Sequence, residues 1–202
     1  MAPRTPSASA EKIKSQLLES SRTIAETAAE IGVIEAAAAR FIEAYRKGGK
    51  ILSFGNGGSS CDAQNFADEL VGRFERNRPP LPAVALTANQ ADITSIGNDF
   101  GFDEVFARQL SAHAKPGDVA VAISTSGNSP NVLKAAAQAR RLGLTVVALT
   151  GKSGGKLKDL ADLCVRVPSG VVARIQEAHI TIIQIWCGLI EEALFPDAPK
   201  AH

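Results

Sequence analysis

The chain has 202 residues, 45% of them hydrophobic and 21% charged, a balance that suits one domain of ordinary size with a real core. Twenty-two basic residues against 21 acidic ones leave a net charge of +1, which argues against a strongly electrostatic nucleic-acid or membrane binder. The three cysteines, Cys61, Cys164 and Cys187, show no paired spacing and fit a reducing cytoplasm better than a disulfide framework.

The N-terminal MAPRTPSASAEK has no apolar run, so no signal peptide is expected. Residues 1–10, rich in Ser, Pro and Ala, read as a disordered tail before a single domain over 11–198. Residues 11–48 read as helical, with Ile13, Leu17, Leu18, Ile24, Ala28 and Ile31 at helical spacing and an interruption at Gly32. Gly48-Gly49 stops this segment, and residues 49–198 then alternate strands with helices. The spacing predicts strands over 50–54, 83–87, 118–123, 145–150 and 163–167. Helices are expected over 59–72, 91–96, 103–113, 130–142 and 156–161, with a closing helix over 171–193. That alternation implies a parallel sheet covered on both faces. The longest apolar stretch, within Ile180–Ile190, is too short to span a bilayer.

Two loops carry the chemistry. Gly55-Asn56-Gly57-Gly58-Ser59-Ser60 follows the first strand and opens into a helix. Its glycines let backbone approach a ligand, and the helix start offers free N–H groups and a positive dipole end. Ser124-Thr125-Ser126-Gly127-Asn128-Ser129-Pro130 follows the third strand in the same way, a phosphate cradle that needs no Lys or Arg. Each loop alone also reads as a tight turn with a Ser cap. Two of them at the C-terminal ends of strands point to the ligand edge of an open α/β sheet. The absence of GxGxxG and GxxxxGK[ST] argues against a dinucleotide or a nucleoside triphosphate.

These loops, with Gly97-Asn98-Asp99, Leu149-Thr150-Gly151, Gly154-Gly155 and Arg174-Ile175-Gln176-Glu177, resemble the SIS (sugar isomerase) family, and within it the phosphoheptose isomerases. The resemblance runs from about residue 12 to residue 195. It implies an α/β fold: a three-layer, doubly wound, five-stranded parallel sheet of flavodoxin-like type. The 11–48 helices would pack a cytoplasmic homotetramer whose active sites lie between subunits. It implies an aldose–ketose isomerase interconverting sedoheptulose 7-phosphate and D-glycero-D-manno-heptose 7-phosphate, serving cell-surface heptose. By that resemblance Asn56, Gly57, Gly58, Asn98, Asp99, Ser124, Thr125, Ser126 and Ser129 touch the substrate. Glu69 moves the proton between C1 and C2, and Gln176 contacts the substrate. A carboxylate suits this work, because the exchange needs a base beside an acidic C–H.

Two positions depart from the pattern. Zinc-bearing members have His four residues before the glutamate and eight after the glutamine; here these are Asn65 and Gln184. Amides are weak zinc ligands, so only Glu69 and Gln176 remain of the expected set and zinc is weakly supported. His179 faces another direction from position 184 and reads as packing or an intersubunit contact. Three readings stay open. One is an isomerase working without a metal. The second is a non-catalytic tetramer of the kind that binds the replication initiator protein, whose Leu-Phe-Pro ending Leu194-Phe195-Pro196 resembles. The third is a regulatory sugar-phosphate sensor. The retained Glu69 favours the first.

Overall fold

The computed structural model describes residues 7–201. Helix α1 (Ala8–Glu26) begins where Ser7 Oγ accepts the Ala10 N–H at 3.2 Å. This serine cap starts the helix inside the stretch expected as a tail; the rest of that tail lies outside the described residues. A 3-10 turn at Thr27–Glu30 separates α1 from α2 (Ile31–Arg46). The break therefore precedes Gly32, which sits within α2. At the turn Thr27 Oγ1 donates back to the Thr23 carbonyl at 2.8 Å.

The sheet holds five parallel strands in the order β2-β1-β3-β4-β5. They are β1 (Ile51–Gly55), β2 (Ala83–Ala85), β3 (Val119–Ser124), β4 (Thr145–Thr150) and β5 (Leu163–Arg166). Strands β1 and β3 are buried along their whole length, as parallel strands covered on both faces must be. Side chains alternate between two cores. Ile51, Val119, Val121, Ile123, Val147 and Leu149 pack under α2, α3 (Gly58–Val71) and α7 (Val172–Leu194). Leu52, Phe54, Ala120, Ala122, Val146 and Ala148 face α5 (Val105–His113) and α6 (Pro130–Arg141). Trp186 lies at the centre of the first core, with Phe41 and Phe66 at 5.1 and 5.9 Å between ring centroids. Its indole N–H donates to the Ile34 carbonyl at 2.9 Å.

Several elements differ from expectation; the helix expected over 103–113, for one, is a 3-10 turn at Phe102–Glu104 followed by α5. Strand β2 stops at Ala85, because the Ala88 N–H turns back to the Ala85 carbonyl. Helix α4 (Gln90–Phe100) runs on past residue 96, so Gly97-Asn98-Asp99 forms its last turn. The segment expected as a helix over 156–161 is a single 3-10 turn at Leu157–Asp159. No helix among the described residues is long and apolar enough to cross a membrane.

Candidate active site

The strand order reverses direction between β1 and β3, and ligands bind open α/β sheets at such a switch point. Both glycine- and serine-rich loops leave the sheet there. The β1 loop turns sharply at Gly57, whose φ of 56° with ψ of −124° only glycine adopts readily. The β3 loop is closed by the Gly127 N–H on the Ser124 carbonyl at 3.0 Å. Ser124 and Ser129 hydroxyls lie 3.2 Å apart across it. The Ser126 and Ser129 N–H groups have no acceptor among the described residues, so they are free to bind an oxyanion.

Asn131, on the first turn of α6, ties the loops together. Asn56 Nδ2 donates to Asn131 Oδ1 at 2.8 Å, and Asn131 Nδ2 donates to Asn56 Oδ1 at 2.9 Å. Asn131 is buried, and Oδ1 also accepts the Val132 N–H. The sequence reading missed this residue. Its signal was an amide in the first turn of a helix behind the serine loop, facing another amide at Asn56.

Gln176, on the first turns of α7, lies over Gly58. A Cβ placed on Gly58 would stand 2.1 Å from Gln176 Nε2. Glycine at 58 therefore leaves room for the amide. Glu69 lies at the other end of α3. Eleven residues at 1.5 Å each put it about 16 Å along the helix from Gly58. It faces the later turns of α7, where its charge is felt at Cys187. Burial raises the Glu69 carboxyl above the ordinary glutamate value; the Asp68 and Glu191 charges add to this, and the Asn65 amide and the Arg78 charge oppose it. That direction suits a base working near neutral pH. Asn98 and Asp99 are exposed at the end of α4, with Asn98 Nδ2 donating to Asp99 Oδ1 at 2.8 Å. No hydrogen bond among the described residues joins them to either loop. One chain thus brings together Asn56, Gly57, Gly58, Ser124, Thr125, Ser126, Ser129 and Gln176, with Glu69, Asn98 and Asp99 set apart.

The donor set does not fit zinc. Glu69 supplies one carboxylate, while Asn65, Gln176 and Gln184 supply amides, which bind zinc weakly. Among the described residues no three His, Cys, Asp or Glu side chains converge. His179 does not substitute: it is fully buried, with Nε2 3.2 Å from the Thr150 carbonyl. A carbonyl only accepts, so Nε2 carries the hydrogen and Nδ1 is left without a partner.

Known proteins resemble this chain in sequence and in fold. The SIS domain model matches residues 15–151. The phosphoheptose isomerase of Geobacter sp. strain M21 is 51% identical over 186 residues, covering 92% of this chain and 97% of the relative. The chain belongs to the SIS-domain phosphoheptose isomerase family. The Rhodospirillum rubrum phosphoheptose isomerase is 55% identical over 149 residues, covering 74% of this chain and 79% of the relative. Among solved structures, a phosphoheptose isomerase from Francisella tularensis superposes with a TM-score of 0.89 at 41% identity, covering 92% of this chain and 100% of that one. Phosphoheptose isomerase membership favours the enzyme over the initiator-binding and sensor alternatives.

Proposed function

We propose that this protein is an aldose–ketose isomerase acting on sedoheptulose 7-phosphate to give D-glycero-D-manno-heptose 7-phosphate. The observation that carries the reading is the pair of loops at the β1–β3 switch point, locked by the Asn56–Asn131 amide pair. The Ser124–Ser129 loop binds the phosphate through hydroxyls and free N–H groups. The Gly57-Gly58 backbone and the Gln176 amide hold the sugar hydroxyls. Glu69 takes the proton from C1 of the ketose and returns it to C2. Between these steps the carbon skeleton is an enediol, and the hydroxyl protons exchange between its two oxygens. Gln176 steadies an oxygen by hydrogen bonding but has no proton to give.

The separation of Glu69 from Gln176 within one chain supports a site completed by a second subunit, in a cytoplasmic homotetramer. An apolar cavity of about 450 Å³, lined by Ile24, Ile31, Ile34, Ile182, Ile185 and Leu189, opens between the N-terminal helices and α7. Earlier on α1, Ile13, Leu17 and Leu18 are more than half exposed. Exposed apolar surface of this kind is what subunit contact covers.

The test is to incubate purified protein with sedoheptulose 7-phosphate and follow aldose formation, with and without chelator, while light scattering gives the assembly mass. Turnover that survives chelation, from a tetramer, is expected. No turnover under any condition would remove the isomerase reading.

A further inference from the structure

We propose that Lys152, on the loop after β4, is the cationic partner of the substrate phosphate, sharing one cavity with the neutral Ser124–Ser129 cradle. The inference rests on the sugar-phosphate reading above and adds a residue to it.

A cavity of about 720 Å³ is lined by Thr125, Ser126 and Asn128 of the cradle and also by Lys152. Lys152 is the one charged residue among those lining it, and no carboxylate does. A phosphate monoester carries nearly two negative charges at neutral pH. The serine loop offers it dipoles and hydroxyls but no counter-charge, whereas a lysine ammonium supplies one without demanding a fixed geometry.

The backbone fixes where this ammonium can reach. The Gly151 N–H donates to the Thr125 carbonyl at 3.0 Å, and the Lys152 N–H to the Ser169 carbonyl at 3.2 Å. On the other side of the turn the Lys156 N–H donates to Asn128 Oδ1 at 3.0 Å. Gly155 lies so close that a Cβ there would stand 2.5 Å from the Ser126 and Gly127 carbonyl oxygens. The loop is therefore clamped to the cradle by backbone contact on both sides of Lys152. Only its side chain is left to move, and it makes no ion pair among the described residues. An ordinary surface lysine would need no such anchorage.

The test titrates the full-length protein and its Lys152→Gln and Lys152→Arg variants with sedoheptulose 7-phosphate, and separately with inorganic phosphate, at low and high salt. Lys152 is exposed, so both variants keep the fold. Lys152→Gln is expected to weaken both ligands about tenfold, the size of one charge-assisted contact. Lys152→Arg should recover most of that, and the gap should narrow as salt screens the charge. In turnover the loss should fall on KM, with kcat within about twofold of the wild type. Wild-type affinity in Lys152→Gln overturns the assignment. Lys152-dependent binding of inorganic phosphate without binding of the heptose phosphate upholds the assignment and removes the heptose reading. A wild-type protein that binds neither ligand overturns both.

Discussion

The side chains of Asn56 and Asn131 exchange two hydrogen bonds, 2.8 and 2.9 Å long, and so join the two loops that flank the β1–β3 switch point. Each amide uses one donor and one acceptor on the other, which sets the distance between the sugar end and the phosphate end of the site. Asn131→Ala should leave the sheet intact while letting the loops drift. Losing a partner for a half-buried amide costs about 1–3 kcal/mol. Misplacement of positioned groups by 1 Å costs on the order of a hundredfold in rate. The expected result is a modest fall in melting temperature and a drop in kcat/KM of roughly 10- to 100-fold. An unchanged kcat/KM would show that the pair is packing only.

The Gly58–Gln176 contact makes a sharper test of the site without touching the core. In Gly58→Ala the new methyl meets the Gln176 amide at a distance it cannot tolerate, 2.1 Å, and the amide must swing away. The amide is the far end of a flexible side chain, so the stability cost should be under about 1 kcal/mol. Activity should fall at least tenfold. Equal activity in the variant would mean that Gln176 does not hold the substrate.

Two buried titratable groups make stability depend on pH, in opposite senses. His179 is pushed from its usual 6.5 down to about 4 by burial. The unfolded chain takes up this proton below pH 6.5 and the folded chain only near pH 4. Stability therefore falls as pH drops through that window, by about 3 kcal/mol in all. Asp62 works in the opposite sense. Burial raises its carboxyl from 3.8 to about 6, and Oδ2 has no partner. Its penalty grows as pH rises from 3.8 to 6 and is complete at neutral pH. Asp62→Asn should therefore stabilise the protein at pH 7, by about 1–3 kcal/mol, and do so much less at pH 4. Urea unfolding of wild type and variant at both pH values measures this, and a variant less stable at pH 7 contradicts it.

The buried ion pair of Arg78 and Glu191 secures the end of α7. Arg78 Nε meets Glu191 Oε1 at 2.9 Å with both side chains almost wholly buried. The same carboxylate accepts the N–H groups of Phe74, Glu75 and Arg76. Glu191→Ala strands a buried guanidinium and three N–H groups, so a loss of about 3–5 kcal/mol is expected in chemical unfolding. A loss below about 1 kcal/mol would show that water replaces the carboxylate.

Much of the fold was legible in the sequence because its central strands are apolar throughout. Val119–Ser124 and Thr145–Thr150 read as strands for the same reason that they are buried. Boundaries set by side-chain or turn hydrogen bonds were less visible. Thr27 bonding back to Thr23, and Ala88 turning onto Ala85, moved two of them. The site was legible as motifs, since loops at strand ends announce themselves by composition. Its distances were not. Matching Glu69 and Gln176 to one family site says nothing of how far apart a single chain holds them. The helix rise puts them at opposite ends of the α3–α7 contact. Asn131 and Lys152 escaped notice because what each lies against is distant in sequence: Asn56 for one, the Ser124–Ser129 loop for the other.

The central claim is that Glu69 moves a carbon-bound proton of a heptose phosphate. Incubating the protein with sedoheptulose 7-phosphate in deuterated water, and following the C1 and C2 protons by NMR, tests it most directly. General-base removal typically costs 10²–10⁴-fold. Wild-type protein should place deuterium at C2 of the aldose as it forms and, by the reverse step, at C1 of the ketose, and Glu69→Gln should lose both at least 100-fold while keeping its affinity for the sugar phosphate. Exchange in Glu69→Gln at the wild-type rate would contradict the account.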